Sequence, residues 1–116
     1  MARLCAGWGI PHAIRRWDSP HGPGNLQDRA REARRRLIAA WAAEAGIAAV
    51  ALAHTRDDQA ETFLLRLARG SGVDGLAAMA PVTRAGGILW LRPLLGIDRA
   101  SLRVFLQSEG IGWAED

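Results

Sequence analysis

The sequence contains no lysine and one cysteine, and both features limit what the protein can be. All 15 basic residues are arginine, against 12 acidic residues, which gives a formal net charge of +3. A single cysteine, Cys5, cannot form an internal disulfide and leaves no cysteine cluster for zinc or an iron–sulfur centre. No apolar run approaches the roughly 18 residues of a membrane-spanning helix. We therefore expect a cytoplasmic protein without a membrane segment.

What is present fits one ordinary globular domain. The chain has 116 residues, 49% of them hydrophobic and 23% charged, which is enough to bury a core. One explanation for the exclusive use of arginine is a GC-rich genome, which favours arginine codons. Arginine also suits phosphate contact, because the guanidinium binds phosphate with two parallel hydrogen bonds. Composition alone does not separate these two explanations.

Apolar spacing and turn-forming residues predict alternating strands and helices. The expected strands cover residues 12–17, 47–53 and 88–91. The expected helices run from the Asn25 cap to Gly46, from about Asp58 to Arg69, and from Ala100 to about Ser108 after the Asp98 cap. The run 47–53 is continuously apolar, which indicates a strand covered on both faces. The second helix is expected to bury Phe63, Leu64, Leu67 and Ala68. This β-α-β-α-β-α order predicts an α/β fold, a three-layer α/β/α sandwich around a parallel sheet.

The densest chemistry lies in the turn between the second strand and the second helix. His54, Asp57, Asp58 and Glu61 fall within eight residues there, where open α/β sheets bind ligands. A helix start alone accounts for two of the acids, since Asp58 and Glu61 have the spacing of a capping box. Alternatively, carboxylate oxygens at this position suit a Mg²⁺-assisted nucleotide site. A neutral histidine bonded to the loop explains His54 equally well.

Two arginine-rich segments also allow two interpretations. Arg66 and Arg69 precede Gly70 and Gly72, which fits either a basic helix end or a phosphate contact through side chains and open backbone N–H groups. The arginines at positions 29–36 form either a solvated helix face or an RNA-binding surface.

Several motifs taken together resemble one known family. They are AHTRDDQAETFLLRLARGSGVDGL, WLRPLL and GIGWAED, with GIPH, RWD and GNLQDRAREARRRL upstream. This combination is similar to the bacterial tRNA(Ile)-lysidine synthases, which are PP-loop enzymes, or N-type ATP pyrophosphatases. The resemblance implies the adenine nucleotide alpha hydrolase-like fold of PP-loop ATPases. It spans nearly the whole chain.

The resemblance also implies an activity and its partners. Members of this family adenylate the wobble cytidine of tRNA(Ile) with a CAU anticodon, using ATP and Mg²⁺, and free L-lysine then displaces AMP to give lysidine. By resemblance, Asp57, Asp58 and Glu61 would be catalytic, with Asp57 and Asp58 on the metal. The nucleotide-binding residues would be His54, Thr55, Arg66, Arg69, Gly70, Gly72 and Arg92. No membrane partner is implied, and a homodimer of the full-length protein is left open.

The sequence departs from the family pattern at both ends. The SGGxDS loop that grips the ATP pyrophosphate in the family is absent, as are the C-terminal domains. We therefore expect residues 1–116 to be a partial PP-loop ATPase domain without its first two strands. In the family's sheet order, 3-2-1-4-5, the chain would supply strands 3, 4 and 5, leaving either a gap or strand 3 paired with strand 4. We expect an isolated chain to be poorly stable and unable to exchange ATP with pyrophosphate.

Two other functions remain open on the sequence. One is a related PP-loop tRNA-modifying enzyme of the cytidine thiolase kind, although such enzymes usually need cysteine pairs and this sequence has only Cys5. The other is a noncatalytic, arginine-rich RNA-binding remnant. Salt-dependent tRNA binding without nucleotide binding would distinguish the remnant from an enzyme.

Overall fold

The computed structural model describes residues 1–18, 21–70, 72 and 78–115. The chain divides into two compact units, Met1–Ala45 and Gly46–Asp116. The first unit contains helices α1 (Ala2–Gly7) and α2 (Leu26–Glu44). The second contains the strands β1 (Ala49–Ala51), β2 (Val82–Ala85) and β3 (Ile88–Leu91), with helices α3 (Arg56–Ala68) and α4 (Arg99–Ser108). None of the described helices is long and apolar enough to cross a membrane.

Helix α2 forms where the sequence predicts it, because both of its ends carry local signals. The Asn25 side chain accepts a hydrogen bond from the backbone N–H of Gln27 at 3.0 Å, and Asp28 lies in the positively polarised first turn. No glycine or proline interrupts the helix. Gly46, with φ +67°, follows its last turn and takes a conformation that costs glycine little.

The predicted strand at residues 12–17 is wrong. These residues form neither helix nor strand. A strand needs a neighbour to bond its backbone groups, and in the described part of the chain none pairs with this segment.

The sheet of the second unit is mixed, not wholly parallel as predicted. Its strand order is β1-β3-β2. Strands β1 and β3 are parallel, with Val50 opposite Trp90, whereas β2 and β3 are antiparallel, with Ala85 opposite Ile88. Gly86 and Gly87 join β2 to β3 with φ values of +59° and +75°. Two consecutive positive φ angles are what a type I′ hairpin turn requires, and glycine supplies them without strain.

The core of the second unit is centred on β3. Ile88 and Trp90 are 5% and 2% exposed, and the Trp90 indole N–H donates to the Ala85 carbonyl at 3.3 Å. Strand β1 is shorter than predicted, and its two end residues are exposed, so it is not covered on both faces. The expected buried side of α3 is also exposed, Phe63 by 44% and Leu64 by 61%. Leu67 and Ala68 are exposed as well.

Candidate functional site

The candidate site begins at the turn between β1 and α3, which a capping box shapes. Thr55 is 5% exposed. Its side chain accepts from the Asp58 backbone N–H at 3.4 Å. In return, the Asp58 Oδ2 atom accepts from the Thr55 N–H at 2.6 Å and from its hydroxyl at 2.7 Å. The capping box thus pairs Thr55 with Asp58, and not Asp58 with Glu61 as the sequence spacing indicates.

Asp58 is held as a carboxylate. Partial burial alone would raise its pKa, but the backbone and hydroxyl hydrogen bonds from Thr55, together with the charges of Arg99 and His54, lower the pKa below its ordinary value. Hydrogen bonds to the charged form favour that form. At neutral pH the turn therefore carries a fixed negative charge.

The first residues of α4 are bonded to the first residues of α3. Asp98 caps α4 by accepting from the Ser101 N–H at 2.7 Å. Its other oxygen lies 2.6 Å from the Arg56 guanidinium, and the Arg56 N–H donates to the Ile97 carbonyl at 2.9 Å. The amino-terminal ends of the two helices are therefore fixed side by side.

Arg99 joins the three candidate acids. Its backbone N–H donates to Asp57 Oδ1 at 3.1 Å, and its Nη2 atom lies 3.3 Å from Asp58 Oδ1. Both terminal nitrogens lie 3.4 Å from Glu61 Oε1. The charge of Glu61 is the main cause that raises the pKa of Arg99. The structure thus brings Asp57, Asp58 and Glu61 together around one arginine.

The other predicted binding residues lie elsewhere on the second unit. Arg69 and Gly70 end α3, roughly 18 Å along the helix axis from Asp57 at 1.5 Å per residue. Arg66 lies in the last turn of the same helix, and Gly72 is exposed. Residues 71 and 73–77 of the glycine-rich loop lie outside the described residues, so a phosphate contact by this segment stays a prediction.

Arg92 follows β3 and binds the start of β2. Its Nη1 atom donates to the Ala80 carbonyl at 2.9 Å and lies 3.3 Å from the Thr83 hydroxyl oxygen. Its backbone N–H donates to the Pro81 carbonyl at 2.8 Å. These contacts fix the hairpin, and a nucleotide contact by Arg92 stays a prediction.

Three side chains connect distant segments of this region in a way that the sequence pattern does not predict. They are Asp98, Arg99 and Gln59. The sequence predicts Asp98 and Arg99 as a helix cap only, and it gives Gln59 no role of its own. The Gln59 side-chain amide exchanges two hydrogen bonds of 2.8 Å with the backbone of Met79, which holds the segment before β2 against α3. These partners are 20 to 42 residues apart along the chain, so no local spacing could reveal them.

The arginines of the first unit bear on the RNA-binding alternative. The Arg29 guanidinium lies 5.7 Å from the centre of the Trp17 ring, within range of a cation–π contact, and Arg15 lies 3.4 Å from Glu44. A cavity of about 350 Å³ opens between residues 13–17 and α2, lined in part by Trp17, Arg34 and Trp41. Arg15 and Arg29 therefore already have partners within the unit.

The described residues contain no group of three or more histidine, cysteine, aspartate or glutamate side chains placed to hold a metal ion. Asp57 and Asp58 are neighbours at the start of α3. Both oxygens of Asp58 accept hydrogen bonds, from Thr55 and from the Arg99 guanidinium, and Asp57 Oδ1 accepts from the Arg99 backbone N–H.

Comparison with known proteins places the chain in a family. The model of the PP-loop domain matches residues 1–116. The chain is 56% identical over 116 residues to the tRNA(Ile)-lysidine synthase of Ruegeria pomeroyi, covering 100% of this chain and 28% of that protein. It is 51% identical to the enzyme of the same name from Bradyrhizobium sp., covering 100% of this chain and 32% of that protein. The chain thus spans about a third of the length of such relatives. The predicted resemblance is confirmed, and the chain belongs to the PP-loop domain family.

Proposed function

We propose that this chain is part of a tRNA(Ile)-lysidine synthase. Such an enzyme ligates L-lysine to the wobble cytidine of tRNA(Ile) with a CAU anticodon. The observation that carries the proposal is 56% identity to an enzyme of that name across all 116 residues. The proposed setting is the cytoplasm. The oligomeric state of the full-length protein is left to measurement.

The proposed reaction has two steps, adenylation of the cytidine and displacement of AMP by lysine. The cytidine carbonyl oxygen attacks the α-phosphorus of ATP, and pyrophosphate leaves. The lysine amine then attacks the ring carbon that carries the adenylated oxygen. The bond between that carbon and the oxygen breaks, AMP leaves with the oxygen, and the amine nitrogen loses a proton to solvent or to a neighbouring carboxylate. Adenylation converts a poor leaving oxygen into a good one, and positive charges in the site stabilise the negative charge that develops on the phosphate.

Within this proposal, Asp57, Asp58 and Glu61 form the catalytic face at the start of α3. They are the three carboxylates that the structure gathers. His54 and Thr55 would lie on the nucleotide side of the same turn. The other proposed nucleotide-binding residues are Arg66, Arg69, Gly70, Gly72 and Arg92.

The Mg²⁺ that accompanies ATP belongs to the same proposal, with Asp57 and Asp58 as candidate ligands. Oxygen ligands suit the ion, but the present arrangement fits it poorly. Both oxygens of Asp58 already accept hydrogen bonds, and a guanidinium lies 3.3 Å from one of them. Neither adenylation nor displacement by lysine is therefore assigned to the metal ion.

A chimeric enzyme tests the proposal. The 116 residues of the Ruegeria pomeroyi enzyme that match this chain are replaced by the chain itself, and incorporation of labelled lysine into a CAU-anticodon tRNA is measured. We expect lysidine formation. Glu61→Gln should reduce the rate by about 100-fold or more, whereas Glu32→Gln, an exposed substitution on α2, should not.

Two results would contradict the proposal. One is a chimera that is folded by circular dichroism and binds tRNA but makes no lysidine, which would favour the RNA-binding alternative. The other is a Glu61→Gln chimera with the activity of the unsubstituted one.

A further inference from the structure

The contacts of Arg99 differ from those of an ordinary surface arginine. Surface ion pairs usually join two side chains and contribute about 0–1 kcal/mol. Here one residue contacts three carboxylates, two through the guanidinium and one through the backbone N–H. Its partners lie 38 to 42 residues earlier in the chain. Arg99 therefore links the starts of α3 and α4 through the candidate catalytic groups themselves.

The three acids at the start of α3 are stabilised by a nearby positive charge. Three carboxylates within five positions of α3 repel one another, and the positive end of a helix offsets only about half a unit charge. Both oxygens of Asp58 accept hydrogen bonds, from Thr55 and from Arg99, and such bonds favour the charged carboxylate. The Arg99 guanidinium, at 3.3 Å from Asp58 and 3.4 Å from Glu61, supplies a full positive charge between them.

We infer that Arg99 is a positioning residue, which fixes the orientation of Asp57, Asp58 and Glu61 and supplies a positive charge at the place where the family resemblance implied Mg²⁺. Arginine suits this role because its planar fork donates in fixed directions to two carboxylates at once, which the point charge of lysine does not. That Arg99 orients catalytic groups rests on the proposed function. That Arg99 supplies a positive charge to these carboxylates does not depend on it.

The first experiment measures steady-state kinetics in the chimeric enzyme. Arg99→Gln should lower kcat about 10- to 100-fold, because displacing catalytic groups by about 1 Å costs up to about 100-fold. The KM for ATP should change much less. Arg99→Lys should recover only part of the loss. The matched control is Arg103→Gln, on the same helix, whose guanidinium lies 2.7 Å from Glu115, away from the acids.

The second experiment measures metal binding without catalysis. Mn²⁺ is titrated into the chimera, without ATP or tRNA, and paramagnetic broadening of the amide signals of residues 56–61 is followed by NMR. Removing a unit positive charge beside the carboxylates should strengthen Mn²⁺ binding about tenfold in Arg99→Gln. Arg99→Lys and Arg103→Gln should bind as the unsubstituted protein does.

The two experiments separate the two hypotheses. If the unsubstituted chimera makes no lysidine, the proposed function fails, and the Mn²⁺ titration still decides whether Arg99 supplies the counter-charge. If Arg99→Gln matches Arg103→Gln in Mn²⁺ affinity, or in kcat where the chimera is active, the inference is overturned. Thermal melting of each variant shows whether it is folded.

Discussion

Replacing Thr55 by valine tests how much the capping box stabilises the candidate site. Valine has nearly the same shape as threonine, so the substitution removes the hydroxyl and leaves the volume of this 5% exposed side chain in place. It deletes the 2.7 Å bond to Asp58 Oδ2 and the acceptor of the Asp58 N–H. The 2.6 Å bond from the backbone N–H of residue 55 remains.

The expected loss follows from these two bonds. Removing a threonine cap costs up to about 2 kcal/mol, and a hydrogen bond to a charged group contributes about 1.5–3 kcal/mol, so a loss of about 1–2 kcal/mol is expected for this partly exposed pair. With an unfolding entropy of about 2.1 cal/mol/K per residue, 116 residues convert that loss into a Tm decrease of about 4–8 °C. Thr62→Val, in the middle of the same helix, should change stability by less than about 0.5 kcal/mol.

The loss should also depend on pH in a defined direction. The pKa of Asp58 is lowered in the folded state from its ordinary value of 3.8. Its stabilisation is therefore fully present above that value and disappears as the pH falls through the lower, folded pKa. The difference in stability between the unsubstituted chain and the Thr55→Val chain should accordingly be large at neutral pH and shrink in acid.

The assay is denaturant unfolding followed by circular dichroism, at neutral pH and at about pH 3. Thr55→Ser keeps the hydroxyl and should retain the pH dependence. A Thr55→Val chain that unfolds at the same denaturant concentration as the unsubstituted chain would refute the capping argument. So would a stability difference of equal size at both pH values.

Two further predictions concern the remainder of the second unit. Trp90→Ala should destabilise it by about 3–5 kcal/mol, measured by the same unfolding assay, because Trp90 is 2% exposed; a loss below about 1 kcal/mol would contradict this. Gln59→Leu should increase hydrogen exchange at the Met79 amide, which now donates to the Gln59 side chain at 2.8 Å. Unchanged exchange there would show that this bond does not hold the segment.

The helices could be predicted from the sequence because their signals are local. Asn25 and Asp98 each bond a backbone N–H within three residues, so the caps of α2 and α4 depend on short segments only. The hairpin before β3 is not among the predicted elements, although VTRAGGILWL carries the two-glycine turn between two strand-forming runs. A wholly parallel sheet contains no antiparallel hairpin. Because that fold class is expected, the two-glycine turn is not interpreted as a hairpin.

The exposed side of α3 shows a second limit. Helical periodicity identifies an apolar face but does not supply the layer that covers it. Phe63, Leu64 and Leu67 have the spacing of buried residues and are 44% to 61% exposed. Which side chains become buried depends on contacts between distant segments, and these are not encoded in any short window.

The acids of α3 show why structural and catalytic interpretations of one motif are hard to separate. A helix start favours carboxylates because its first N–H groups are unpaired, and a nucleotide site favours them because their oxygens bind Mg²⁺. The structure distinguishes the three acids by their contacts. Asp58 belongs to the capping box and Asp57 accepts the N–H of Arg99, so substituting either one disturbs the fold as well as the site. Glu61 lies outside the cap and its side chain is 60% exposed. Of the three acids, Glu61 is therefore the one whose substitution by glutamine is expected to change the stability of the fold least. A loss of activity in Glu61→Gln is the clearest evidence for a catalytic role.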